Sequence, residues 1–236
     1  MDRPLSVVCL RARTSDRTDG AGAGAEALAR ALDPGARIVG EAEPGEPRPW
    51  EHDLATARPV LAAAAQAASA PAVITAAECT ICLGTFPAVA AREPRVRFLW
   101  LDAHADFNTP ATTPSGYLGG MCLAAACGRW DAGAGEPVDA ARVHLVGVRD
   151  LDPDEREHVA DAGLRLGVPR DGPLYVHLDC DVLDPAVLRS QFPVPGGMSL
   201  EGLRALLAGV ADRVVGLEVT ALEDPQQADA IAGALP

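Results

Sequence analysis

Asp102, His104 and Asp106 alternate along Asp102-Ala103-His104-Ala105-Asp106, and Asp179 and Asp181 alternate in Asp179-Cys180-Asp181-Val182-Leu183-Asp184-Pro185. Each run follows an apolar, strand-like stretch, residues 97–101 in one case and 174–178 in the other. On a strand or its extended continuation, residues i, i+2 and i+4 point the same way. Asp102, His104 and Asp106 are therefore expected to share one face, and Asp179 and Asp181 another. If the two strand ends are neighbours, four carboxylates and an imidazole converge. Bare carboxylates that close repel and raise one another's pKa values. A pair of divalent cations removes that repulsion, and hard oxygen donors with one imidazole suit manganese or a similar borderline metal. Either motif alone reads as well as a turn, because Asp is a common turn former at strand ends. Both together, at the strand ends where open α/β sheets bind ligands, read as a metal site.

The elements that must position these motifs alternate along the chain. Strands are expected at 5–10, 37–39, 72–75, 96–101, 142–146, 174–178 and 214–219. Helices are expected at 25–32, 53–68, 80–91, 118–127, 153–161 and 200–210, with a last short one after Pro225. Strands alternating with helices of this length predict a three-layer α/β/α fold around a mostly parallel sheet. No repeat or linker interrupts it, so residues 1–236 read as one domain. Residues 41–50 and 132–138 are Pro/Gly-rich loops within it. Gly20-Ala21-Gly22-Ala23-Gly24 suggests a dinucleotide loop, but about ten polar residues separate it from the first strand, whereas the true fingerprint opens its helix directly. A flexible loop is the expected reading.

Composition narrows the chemistry. The chain has 236 residues, 48% of them apolar, enough for a sizeable core. A net charge of −13 and no basic stripe argue against a nucleic-acid partner. There is no lysine; all 20 basic residues are Arg, which rules out a lysine Schiff base or a P-loop lysine. No apolar run reaches the ~18 residues of a membrane span, and Met1-Asp2-Arg3-Pro4 has no signal-peptide layout. The six cysteines follow no disulfide or zinc spacing. A cytoplasmic protein, monomeric or a small homo-oligomer, is expected.

The stretch from Asp102 to Gly116 resembles the arginase/agmatinase (ureohydrolase) family almost throughout. So does His177-Leu178-Asp179-Cys180-Asp181-Val182-Leu183-Asp184-Pro185, and Gly147-Val148-Arg149-Asp150-Leu151-Asp152-Pro153 matches a motif of arginases proper. The resemblance covers residues 72–225, roughly two thirds of the chain. It implies a site for two Mn²⁺, with Asp102 and Asp179 bridging, His104 and Asp181 on one metal and Asp106 on the other. It makes Asp106 and Asp181 catalytic. It assigns Asn108 and Ser115 to a substrate α-carboxylate and Asp152 and Glu155 to its α-amino group. The implied substrate is a small amino-acid-like molecule.

Four positions depart from the family pattern. Cys79 stands where the family has a His ligand; a thiolate can still bind a metal, and Cys79 is read as a ligand in preference to a packing residue. Gly119 replaces a general acid/base His. Both changes, with Tyr117-Leu118-Gly119-Gly120-Met121, resemble the branch that hydrolyses Nω-hydroxy-L-arginine to hydroxyurea and ornithine in D-cycloserine biosynthesis. Ala221 replaces the Glu that binds a guanidinium, and Phe192 the Thr that supports it. Glu218 or Glu223 could substitute, Glu223 only if residues 221–223 stay extended. Cys180 is expected to pack away from the metals, and His177, one pleat deeper than Asp179, to be a satisfied core histidine. The sequence leaves three functions open: a dimanganese hydrolase of an amidine or hydroxyguanidine C–N bond, a metal hydrolase of another C–N bond, and a degenerate, non-catalytic binder of a small ligand or partner.

Overall fold

The computed structural model describes residues 5–236. The opening Met1-Asp2-Arg3-Pro4, read above for a leader, lies outside the described residues. Strands β1 (Ser6–Leu10), β2 (Arg37–Val39), β3 (Ala72–Ala76), β4 (Arg97–Leu101), β5 (Val143–Val146), β6 (Arg165–Leu166), β7 (Leu174–Asp179) and β8 (Val214–Thr220) form one parallel sheet in the order β2-β1-β3-β8-β7-β4-β5-β6. The helices are α1 (Gly20–Leu32), α2 (Trp50–Ala68), α3 (Cys82–Arg92), α4 (Cys122–Ala126), α5 (Pro153–Ala162), α6 (Leu200–Ala208) and α7 (Ala228–Ala232). The expected three-layer parallel architecture is what the chain adopts.

Alternation along the central strands divides the core. Phe98 and Trp100 of β4 join α2, α3 and α4 on one face, while Leu99 and Leu101 join α1, α6 and α7 on the other. Both faces of these strands are buried, so they read as continuous apolar runs. Phe86 of α3 stacks on Phe98 with centroids 4.2 Å apart and meets Trp100 and Tyr175 edge-on, contacts worth about 0.5–1.5 kcal/mol each beyond area burial. No helix among the described residues is long and apolar enough to cross a membrane.

Two expectations need correction. Gly20 to Gly24 are not a flexible loop but the first turns of α1. They are small because the helix packs hard on residues 222 and 223: a Cβ on Gly24 would fall 1.6 Å from the Leu222 carbonyl oxygen. Gly20 and Gly24 serve close approach rather than mobility. The sequence reading also missed β6, two exposed residues at the sheet edge with no apolar signal beyond Leu166.

One buried ion pair ties the loop after β1 to the body. Arg13 Nη1 donates to Asp53 Oδ1 at 2.5 Å, both side chains being almost fully buried, and Nη2 donates to the carbonyls of Asp16 and Glu46. Removing one partner strands the other's charge. Asp53→Ala is therefore expected to destabilise the fold by about 3–5 kcal/mol, read by chemical denaturation; a loss below about 1 kcal/mol would show the pair is solvated in solution.

Candidate metal centre and substrate cleft

Four neighbouring strands, β3, β8, β7 and β4, end at the same sheet edge and deliver the candidate residues. Trp100 pairs with His177 and Leu101 with Leu178, so Asp102 and Asp179 leave their strands side by side. Cys79 opens a 3-10 turn just after β3, and Thr220 ends β8. The chain past each strand end is a bend or turn rather than extended. Asp106 sits at φ 49°, a left-handed conformation that Asp tolerates better than most residues, and Asp181 lies in a 3-10 turn over Cys180–Val182. The acids converge as expected, but through turns and not by simple strand alternation.

Backbone amides aim the carboxylates. His104 N donates to Asp102 Oδ1 at 2.6 Å, Asp181 N to Asp179 Oδ1 at 2.7 Å, and Ala103 N to Asp181 Oδ1 at 3.0 Å. In each acid the second oxygen faces the cluster. Asp181 Oδ2 lies 3.0 Å from His104 Nδ1, which is 3.4 Å from Asp102 Oδ1. Cys79 Sγ lies 2.9 Å from Asp179 Oδ2, 3.2 Å from Thr220 Oγ1 and 4.0 Å from Asp102 Oδ2. Cys79 thus joins the acids instead of packing apart from them. Cys180 is fully buried in the opposite core layer, as expected.

Crowding shows in the titration of these groups. Burial, then Asp181, pushes the Asp102 carboxyl up to about 7. Burial, then Asp181 and Asp102, holds Asp179 well above the ordinary carboxylate range, and burial with Asp102 does the same for Asp106. Burial opposes a charged His104 ring, yet Asp102 and Asp181 push it up to about 12. Two donor groups, Asp102–His104–Asp181 and Cys79–Asp102–His177, each have their ligand atoms within 4.8 Å of one another, and Asp106 belongs to neither. Buried, like-charged oxygens with one open side each are the donor set a divalent cation requires.

The raised groups set a pH dependence. Asp102 holds a proton in the fold that an unfolded Asp releases near pH 4, and His104 holds one that an unfolded His releases near pH 6.5. The stability each proton contributes is present below those unfolded values; it is lost for Asp102 as pH rises to about 7, and for His104 from about 6.5 upward. The metal-free protein is expected to melt several degrees lower at about pH 8 than at about pH 5, with added Mn²⁺ raising the melting temperature more at the higher pH. A metal-free melting temperature that climbs over this range would contradict the assignment.

Two chambers adjoin this cluster. The deep one, about 20 Å³, is lined by the metal-donor candidates together with Glu78, Tyr117, Phe192 and Ala221. The outer one, about 240 Å³, is lined by Asn108, Ser115, Asp152 and Glu155, all four substrate-binding candidates. His104, Asp106, Tyr117 and Phe192 belong to both. Asn108 Nδ2 donates to Asp152 Oδ2 at 2.9 Å, and Asp152 caps α5 in a reciprocal box with Glu155. The Glu155 oxygens accept from Phe107 N at 2.7 Å and Asp152 N at 3.2 Å.

The departures from the family pattern acquire physical reasons. A Cβ on Gly119 would fall 2.5 Å from the Tyr117 ring, whose hydroxyl donates to the buried Glu78 carboxylate. A histidine at position 119 would displace that tyrosine. Neither acid weighed as a substitute for Ala221 serves. Ala221 turns at φ 58°, so the segment is not extended, and Glu223 accepts from Thr18 Oγ1 at 2.8 Å, away from the deep chamber. Glu218 is taken by Tyr175 and His177. Besides the four aspartates among the metal-donor candidates, the chamber is lined by Glu78, which sequence reasoning passed over although it adjoins Cys79.

The arginase-family sequence model matches residues 52–171 and 162–234. The N(omega)-hydroxy-L-arginine amidinohydrolase of Streptomyces lavendulae is 35% identical, the alignment covering 95% of this chain and 91% of that one. Bacillus caldovelox arginase is 33% identical over 51% of this chain and 50% of its own. In structure, B. caldovelox arginase superposes with a TM-score of 0.84 at 22% identity, covering 98% of this chain and 96% of that one. Proclavaminate amidino hydrolase from Streptomyces clavuligerus gives 0.71 at 21% identity, covering 98% and 89%. The chain belongs to the arginase family. It is an amidinohydrolase of that family.

Proposed function

We propose that the chain is a dimanganese hydrolase of a linear C–N bond in an Nω-hydroxy-L-arginine-like amino acid, giving a urea-type product and an amine. The observation that carries this is the pair of chambers sharing one wall, the candidate metal donors lining the inner one and the candidate substrate-binding residues the outer. It also matches the substrate in the name of the S. lavendulae relative.

Asp102, Asp179, His104, Asp181, Asp106 and Cys79 would hold two cations. Such a pair, when bound, supplies water activated at neutral pH. In the overall reaction the water oxygen joins the amidine carbon, the bond from that carbon to the side-chain nitrogen breaks, and a proton reaches that nitrogen. Asp106 stands on the shared wall, where its carboxylate would take the proton the water gives up and pass it to the departing nitrogen. Ala103 N holds Asp181 by its Oδ1, leaving Oδ2 turned toward His104 and the cation the two would share. Asn108 and Ser115 meet the substrate carboxylate, and Asp152 and Glu155 its amino group. Tyr117 and Glu78 face the reacting head from beside Ala221, a donor and an acceptor suited to a hydroxylated head.

The apolar surface of Phe192 and Ala221 favours a second reading, a different C–N substrate with an uncharged head. The cytoplasm is the proposed location, since the cysteines carry no disulfide spacing. The test is ornithine release from Nω-hydroxy-L-arginine by the manganese-loaded protein. No product from it, nor from arginine, agmatine or guanidino acids, would overturn the reading in favour of a non-catalytic binder.

A further inference from the structure

The imidazole missing at position 79 has a counterpart on the neighbouring strand. His177 on β7 is fully buried, and its Nδ1 lies 2.6 Å from Glu218 Oε1. Glu218 also accepts from the Tyr175 hydroxyl through Oε2 at 2.8 Å, so the carboxylate is an acceptor on both sides and Nδ1 must donate. That commits one ring nitrogen. The other, Nε2, has no hydrogen-bond partner although it is buried. Trp100 stacks flat on the ring with centroids 3.7 Å apart, and Phe86 meets it edge-on, so the imidazole cannot turn to find one. An unsatisfied polar atom at such a depth carries an uncompensated desolvation cost unless something occupies it.

Cys79, Asp102 and His177 bring their ligand atoms within 4.8 Å of one another. Cation bonds of about 2.0–2.3 Å place two donors on one cation up to about 4.6 Å apart. We propose that His177, held by Glu218, is a metal ligand that completes a thiolate–imidazole–carboxylate site with Cys79 and Asp102. The exchange is one of reach. Cysteine is shorter than the histidine it replaces, and an imidazole from β7 supplies the nitrogen that Cys79 cannot. Glu218 is a positioning residue: it orients the ring and keeps the lone pair of Nε2 available. The inference rests on the proposal of a metal-bearing site, and it alters which residues hold the cation beside Cys79.

Co²⁺ is the probe, because thiolate ligation gives a near-ultraviolet charge-transfer band and the visible bands report coordination number. Metal-free wild type, His177→Asn and Glu218→Gln are titrated with Co²⁺, and bound metal is counted by elemental analysis. Wild type is expected to bind two equivalents, one carrying the thiolate band. His177→Asn should weaken the thiolate-linked equivalent at least tenfold and change its visible spectrum, and Glu218→Gln should weaken it about 10–100-fold. The equivalent at His104 and Asp181 should be retained in both. Added imidazole should restore the band in His177→Gly, which guards against a misfolded His177→Asn. Identical affinity and spectra in wild type and both variants would overturn the inference and leave the dimetal reading standing. Wild type that binds no Co²⁺ at either position would overturn both.

Discussion

Replacing Asp179 by Asn is expected to lower kcat/KM on Nω-hydroxy-L-arginine at least about a thousandfold, roughly 4 kcal/mol of transition-state stabilisation. Asp179 accepts Asp181 N on Oδ1 and turns Oδ2 toward Cys79, so it links the two halves of the cluster. An amide of the same shape keeps the Asp181 bond but offers no second anionic oxygen, and bound metal should fall toward one equivalent. Without the cation pair, water near pH 7 reverts to a poor nucleophile. Stability should move the other way. Burial, Asp181 and Asp102 hold the Asp179 carboxyl well above its ordinary range, so its removal relieves like-charge crowding in the metal-free protein. Thermal melting of the metal-free variant at or above wild type, with activity lost, is the expected pair of results. Activity within tenfold of wild type would remove Asp179 from the metal centre.

Arginine is expected to be turned over at least about a hundredfold less efficiently than Nω-hydroxy-L-arginine, because the aspartates of the deep chamber would be taken by the cations and none is left for a guanidinium. A guanidinium stays protonated at neutral pH, and leaving it unpaired costs several kcal/mol, about 1.4 kcal/mol for each tenfold. Ala221 and Phe192 offer it nothing, and burial pushes the Glu78 carboxyl well above the ordinary carboxylate range, so it is a poor anion for a guanidinium. N-hydroxylation lowers the basicity of the head and adds a hydroxyl that a neutral acid can meet. Ala221→Glu should raise arginine turnover relative to hydroxyarginine. The exchange adds little backbone strain, since Ala221 already occupies φ 58° with a Cβ of its own. Measuring kcat/KM for both substrates in both proteins decides it. Arginine turnover equal to that of hydroxyarginine in the wild type would refute the account of the pocket.

The spacing of Asp102, His104 and Asp106, and of Asp179 and Asp181, was enough to locate the acidic cluster. Each motif follows an apolar run that can only be a buried strand, and parallel strands place their C-terminal ends at one edge. The parallel sheet followed from the same alternation, read over the whole chain. What the sequence left undecided depends on which strands are neighbours and on where the chain turns. Glycines at 20–24 look flexible until the Leu222 backbone is seen against them. Glu223 is two residues from Ala221, yet the left-handed turn at Ala221 carries it to Thr18 and out of the chamber. His177 reads as core because one strand cannot show that Glu218 takes only half its ring, or that Cys79 and Asp102 stand near it. Hydrophobic periodicity is a property of one strand and survives in the sequence, whereas the partner of a buried polar atom belongs to another strand and appears only when the sheet is assembled.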